Sequence, residues 1–405
     1  MIEHEIAKRC RVLLTAPAVQ KTLKQLQAWD ENTLQEQIEI CEITAAPFHE
    51  QQRADFFLGK LQQIGLQEIH KDSAGNVLGS SACGNDGKLL IAAHLDTVFA
   101  QGTDTRVKRA EGRLHAPGLV DDSRGLAEVL AVARALQYSG IKTWRKVVFC
   151  GDVGEEGTGN LRGVRHIFQH TKGISGFVSL DGFMDPAAIT YLGMGSKRYE
   201  ATYTGPGGHS LYNFGRPSAV HAAGRAIAKI AELPSLPGTT FTVGTVKGGS
   251  AVNAIAAKAG MQIDLRGENP QNLSKLEQAV QKCLKSAAQD ENSRWKSKSI
   301  QLKVEEIGSR PCGVQPADAD IVVAAACATK AVGLTPRLEP PSSTDSNIPI
   351  CLGIPAVTLD CGGKAGGTHS FSEWFLPRQS FLGPQRAFLL VLLLSGAEGI
   401  IPPLL

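Results

Sequence analysis

Two acidic side chains stand next to each other in Gly151-Asp152-Val153-Gly154-Glu155-Glu156-Gly157-Thr158-Gly159, a segment entered from the apolar run Val147-Val148-Phe149-Cys150. Adjacent carboxylates repel, and holding both near the end of an apolar strand is costly unless a cation or an unusual proton accompanies them. The pair reads as a base, Glu155, beside a metal ligand, Glu156. Taken alone, a Glu-Glu pair is more often a solvated loop, because charged residues are mostly exposed.

Other segments carry the same chemistry. Leu89-Leu90-Ile91-Ala92-Ala93 has the pattern of a buried strand and delivers His94-Leu95-Asp96 to its C-terminal end, where ligands collect in open α/β sheets. Residues i and i+2 share a strand face, so the Asp96 carboxylate can orient the His94 imidazole. Asp121-Asp122 precedes an amphipathic helix with Leu126, Val129, Leu130, Ala133 and Leu136 on one face, ending near Gly140. Asp122 suits the N-cap, which leaves Asp121 as a candidate bridge between two cations.

The short strand Gly176–Leu180 again ends in an acid, Asp181, although Asp-Gly is also a common turn dipeptide. A late strand, Ala356–Leu359, leads to a glycine-rich segment ending in His369. His94, Asp121, Glu156, Asp181 and His369 together are two imidazoles and three carboxylates, an inventory for two metal ions. Mixed nitrogen and oxygen donors suit zinc, with cobalt or manganese as alternatives, and a catalytic site keeps a position open for water.

These residues need a scaffold, and 405 residues exceed one ordinary core, so two domains of unequal size are expected. The pattern predicts an α/β fold: a three-layer domain with a central, mostly parallel sheet, formed by residues 1–196 and 311–405. Residues 197–310 change texture to β-α-β-β-α-β, the order of an inserted α+β ferredoxin-like domain. That insert carries Gly205-Pro206-Gly207-Gly208-His209-Ser210, whose glycines keep His209 out of a core. It lacks the Gly-Lys-Ser/Thr ending of a phosphate-binding loop. Residues 1 to about 40 show mixed helical periodicity without chemistry and read as surface helices.

A net charge of +3, from 42 basic and 39 acidic residues, is too balanced to suggest nucleic-acid or membrane-surface partners. Nine cysteines without a Cys-x-x-Cys spacing read as reduced core residues. The N-terminus has no secretory apolar segment and no run approaches a membrane span, so a cytoplasmic protein is expected.

His94-x-Asp96, Asp121-Asp122, Glu155-Glu156, the Gly-Gly-His209-Ser loop and the late His369 resemble, over almost the whole chain, a family of co-catalytic metallopeptidases. That family includes peptidase T, carboxypeptidase G, aminoacylase and succinyl-diaminopimelate desuccinylase. The resemblance implies one metal on His94, Asp121 and Asp181 and another on Asp121, Glu156 and His369, with Asp96 orienting His94 and Glu155 as general base. Asp181, where carboxypeptidases and aminoacylases carry Glu, looks more like the peptidase T branch, as do Leu180-Asp181-Gly182 and Gly367-Thr368-His369.

By the same resemblance the insert is a lid that also forms a homodimer. His209 donates to the oxyanion, while Asn253 and Arg266 hold the substrate, Arg266 as a buried fork for a carboxylate. The implied activity is metal-dependent removal of residues from small peptides, of the aminopeptidase, tripeptidase or dipeptidase type. The alternatives are an N-acyl-amino-acid amidohydrolase or carboxypeptidase on the same site, and a non-catalytic, metal-stabilised peptide-binding protein.

Overall fold

The computed structural model describes residues 2–84, 86–182 and 185–405. They divide into two compact units, Met1–Gly193 with Gly313–Leu405, and Met194–Cys312.

In the first unit, among the described residues, eight strands form one sheet. Their spatial order is Gln67–Lys71, Val77–Ser80, Lys146–Asp152, Lys88–His94, Ile174–Leu180, Ala356–Leu359, Ala188–Thr190 and Arg337–Leu338. The four central strands, from Lys146–Asp152 to Ala356–Leu359, run parallel. Both their faces are covered, which is why their sequences are apolar runs rather than alternations. On one face Leu89, Ile91, Phe149 and Val178 pack with the helices Ser123–Ser139 and Leu382–Ser395. On the other, Leu90, Ala92, Cys150 and Phe177 pack with Val164 and Ile167 of the helix Arg162–His170. The three expected layers are present.

The helix Leu382–Ser395 is buried from Gly383 to Ser395, consistent with a sequence that is apolar all round from Ala387 to Leu394. The opening helices Ile2–Thr15, Pro17–Ala28 and Asp30–Cys41 correct the expectation of a surface layer. Ile6, Leu13, Val19 and Leu26 are each at most 1% exposed and belong to the main core. The seven-residue steps from Ile6 to Leu13 and from Val19 to Leu26 put each pair on one helix face, which buries while the polar face stays wet.

After Lys88–His94 the chain crosses through Ser123–Ser139 to Lys146–Asp152 on one side, then through Arg162–His170 to Ile174–Leu180 on the other. The strand order therefore reverses at Lys88–His94, and in open α/β sheets ligands bind beyond the carboxyl ends of the strands at such a point.

The second unit is a four-stranded antiparallel sheet in the order Thr239–Gly248, Lys258–Gly267, Gly195–Thr204, Gln301–Arg310. With the helices Ala219–Ala231 and Pro270–Arg294 this is the β-α-β-β-α-β order of a ferredoxin-like domain. Its separate core includes Tyr203, Ala226, Met261, Leu276 and Leu284, and the Tyr203 hydroxyl donates to the Leu284 carbonyl at 2.9 Å. Where the chain leaves and re-enters the first unit, Gly193 and Gly313 exchange two backbone hydrogen bonds of 2.8 and 2.9 Å.

Candidate metal centre

The reversal point gathers the five predicted ligands. His94 ends its strand, Glu156 follows Lys146–Asp152, Asp181 follows Ile174–Leu180, and Asp121 lies two residues before the helix Ser123–Ser139. His369 arrives on a turn from the far end of the chain with φ of 63°, a left-handed conformation uncommon for residues other than Gly. His94 Nε2 lies 2.9 Å from Asp121 Oδ1 and 4.0 Å from Asp181 Oδ1. His369 Nε2 lies 2.8 Å from both Asp121 Oδ2 and Glu156 Oε1. Asp121 is thus shared between the two imidazoles.

Backbone contacts hold these side chains in place. His94 Nδ1 sits 2.9 Å from the Asp96 carbonyl oxygen, which can only accept, so Nδ1 carries a proton and Nε2 faces inward to the carboxylates. This corrects the reading in which the Asp96 carboxylate orients the ring: that carboxylate is 3.8 Å from Nδ1. The strand stops at His94, so the shared-face rule does not reach Asp96. The Asp96 carboxylate instead accepts the backbone N–H groups of Gly154 at 2.7 Å, Glu155 at 3.0 Å and Glu156 at 2.9 Å. It fixes the loop that presents the two glutamates.

Asp122 is the helix N-cap, accepting from the Gly125 N–H at 3.1 Å, while its other oxygen accepts from the His94 N–H at 2.9 Å. The Glu373 carboxylate, unnoticed in the sequence, accepts from the N–H groups of Gly118, Val120 and Asp121.

The charges ask for cations. Asp121, Glu155, Glu156 and Asp181 are all at most 9% exposed, four carboxylates against two imidazoles. Burial, then the neighbouring Asp121, pushes Glu156 up to about 7. Burial likewise raises Asp181 well above the carboxylate range. Burial would also raise Asp121, but His369 and His94 hold it below its usual value. Burial would lower His94, yet Asp122, Asp121 and Asp181 raise it well above an ordinary histidine. His369 is raised to about 11 by its contacts with Asp121 and Glu156.

Asp121 Oδ1 lies 2.9 Å from His94 Nε2 and has no hydrogen-bond partner apart from that approach. A buried carboxylate oxygen facing an inward imidazole nitrogen, with no other partner, is a place where a metal ion can replace the proton between them. The ligand atoms of His94, Asp121 and Glu156 lie within 4.8 Å of one another, as do those of His94, Asp122 and Asp181. The donor set therefore fits divalent cations of the zinc type.

His209, Asn253 and Arg266 lie in the second unit. His209 and Asn253 share one loop pair, with His209 bridged to Ala254 and the Asn253 carbonyl accepting from Ser210. The exposed His209 accepts at Nδ1 from the Leu211 N–H at 3.2 Å, leaving an Nε2–H to donate. Arg266 is not the buried fork expected: its side chain is 39% exposed and its Nε is paired with Asp264 at 2.8 Å. On an open antiparallel face, two residues that alternate on one strand reach each other and water.

A model of peptidase family M20/M25/M40 matches residues 90–389. An acetylornithine deacetylase of Myxococcus xanthus is 25% identical over 66% of this chain and 72% of that protein. The fold is shared with a tripeptidase from Staphylococcus aureus, at a TM-score of 0.76 and 20% identity over 89% of this chain and 97% of that one. It is shared too with aminopeptidase PepT from Bacillus cereus, at 0.74 and 19% over 89% and 98%. With its matched region extending from the His94 strand through His369, the chain belongs to peptidase family M20/M25/M40 and is a metal-dependent hydrolase of peptide or amide bonds.

Proposed function

We propose that this chain is an exopeptidase for small peptides, of the aminopeptidase, tripeptidase or dipeptidase type, working with two divalent cations, zinc foremost. The observation that carries this reading is the shared Asp121, 2.9 Å from one imidazole and 2.8 Å from the other, beside a clamped Glu155-Glu156 pair. His94, Asp121 and Asp181 would hold one ion, and Asp121, Glu156 and His369 the other. Cations so held supply Lewis acidity that polarises the scissile carbonyl and acidifies a water.

Glu155 takes that water's proton and returns it to the leaving amine. Asp96 keeps Glu155 and Glu156 at fixed positions through their own N–H groups. His209 contributes its Nε2–H to the developing oxyanion, and Asn253 and Arg266 orient the substrate. In this reading the second unit is a lid that also joins two copies of the chain in a cytoplasmic homodimer. The fold shared with a tripeptidase and an aminopeptidase supports the peptide substrate.

The similarity to an acetylornithine deacetylase favours a second reading, hydrolysis of N-acyl amino acids on the same centre. Turnover of free-amine di- and tripeptides against N-acetyl amino acids, with zinc, cobalt or manganese added to chelated protein, separates the two. Faster turnover of the acylated compounds sinks the exopeptidase.

A further inference from the structure

Glu373 is 0% exposed and stands outside the five ligands and the base. Its Oε1 accepts from the Val120 N–H at 2.7 Å and the Asp121 N–H at 3.3 Å, and its Oε2 from the Gly118 N–H at 3.1 Å. These donors belong to the loop that delivers Asp121. Glu373 itself closes the turn that delivers His369: Ser370 N–H donates to the Gly367 carbonyl at 3.1 Å, and Glu373 N–H to the Ser370 carbonyl at 3.2 Å.

The turn is tight at Gly367, where φ is 71° and a Cβ would come within 2.8 Å of the Ser372 carbonyl oxygen. The next residue, Trp374, pairs antiparallel with His115, which brings Glu373 alongside the start of the Asp121 loop.

We infer that Glu373 is a positioning residue that ties the Asp121 loop to the His369 turn, so that both side chains reach the same divalent cation. The inference rests on the ligand assignment proposed above. Three converging N–H donors form a nest for an anion, and a carboxylate answers all three with acceptor oxygens. A glutamine would answer with one oxygen and turn an N–H₂ toward the donors at the other side. Glu373 touches neither a substrate nor a cation in this arrangement, and acts through the backbone of one ligand and the turn of another.

The test is cobalt binding to chelated full-length protein, read by competition with a chromophoric chelator and by the visible absorption of the bound ion. Circular dichroism and melting of the cobalt-free protein are followed in parallel. Glu373→Gln is expected to keep the fold and to bind cobalt about 10–100-fold more weakly, the range for removing a group that supports metal ligands. Its visible spectrum should change, which a general loss of stability would not produce.

Wild-type affinity and spectrum in folded Glu373→Gln overturn the inference. Should that variant not fold, Glu373→Asp, which keeps the charge but is one methylene short, is read instead. Roughly tenfold weaker binding in it supports the inference, and unchanged binding overturns it. Failure of the wild-type protein itself to bind cobalt would overturn the ligand assignment as well, so the two failures are told apart.

Discussion

In the proposed mechanism Glu155 and Glu156 are neighbours in sequence and separate in task. Glu155→Gln, which keeps the shape and removes the base, is expected to bind ions as the unmodified protein does while turnover falls roughly 10²–10⁴-fold. Normal turnover in the ion-loaded variant would remove Glu155 from the reaction. His369, with a side chain 51% exposed, is replaceable without opening a cavity, so His369→Ala should stay folded and bind one ion fewer, counted by elemental analysis after gel filtration.

Protons compete with those ions. In the ion-free protein His369 is raised to about 11 and His94 also stands above its ordinary value. Stability from these raised groups is full below the ordinary histidine value of about 6.5 and is lost as pH rises through the folded value. Between those limits, a cation that takes the same lone pair expels the proton. Ion affinity should rise with pH by about tenfold per unit for each proton released, and calorimetry in buffers of different ionisation heat would count those protons. Of the candidate ligands, His94 and Asp181 were legible because each follows or closes an apolar strand and Asp121 because it precedes a helix, whereas Glu156 and His369 stand on loops and were read only as members of the set. Glu373 was not legible, since a side chain that receives backbone N–H groups leaves no spacing to read.

Among the elements, the helix Ser123–Ser139 sets Asp121 and the Asp122 cap against the end of the Ile174–Leu180 strand. Gly125 permits that approach: a Cβ there would lie 2.0 Å from the Leu180 carbonyl oxygen and 2.1 Å from Asp122 Oδ1. Gly125→Ala is expected to destabilise the protein by roughly 1–3 kcal/mol, as overpacking of a filled site does, measured by urea unfolding of the ion-free protein. This helix was readable from its apolar spacing and its terminal Gly140, but the single apolar face expected of it is corrected: it is buried on nearly every side from Ser123 to Leu136. The helix Leu382–Ser395 gave no such period, because a segment buried on every side has no polar face to mark one. The opening helices were recognised as helices, but their apolar stripes did not say what they face.

For the whole molecule, two separate cores predict two responses to chelation. Ions held by the proposed ligands of the first unit should stabilise that unit alone, by about 4 kcal/mol when free ion stands a thousandfold above its Kd. Calorimetric unfolding with and without chelator should move one transition and leave a second, belonging to Met194–Cys312, in place. A common shift of all unfolding would show that the two cores unfold together. The change to β-α-β-β-α-β texture was legible because alternating strands replace continuous apolar runs, whereas the pairing of Arg266 with Asp264 depends on strand neighbours that spacing does not identify.

The two backbone hydrogen bonds between Gly193 and Gly313 have a consequence for how such a chain can vary. They place the exit and the return of more than a hundred residues side by side, within the span that a short turn covers. The strand pairing of the first unit does not depend on the length of the segment between those two glycines. Insertions, deletions or exchange of the second unit can then occur without disturbing the strands that precede His94, Glu156 and Asp181, while the proposed contributions of His209, Asn253 and Arg266 change with that unit.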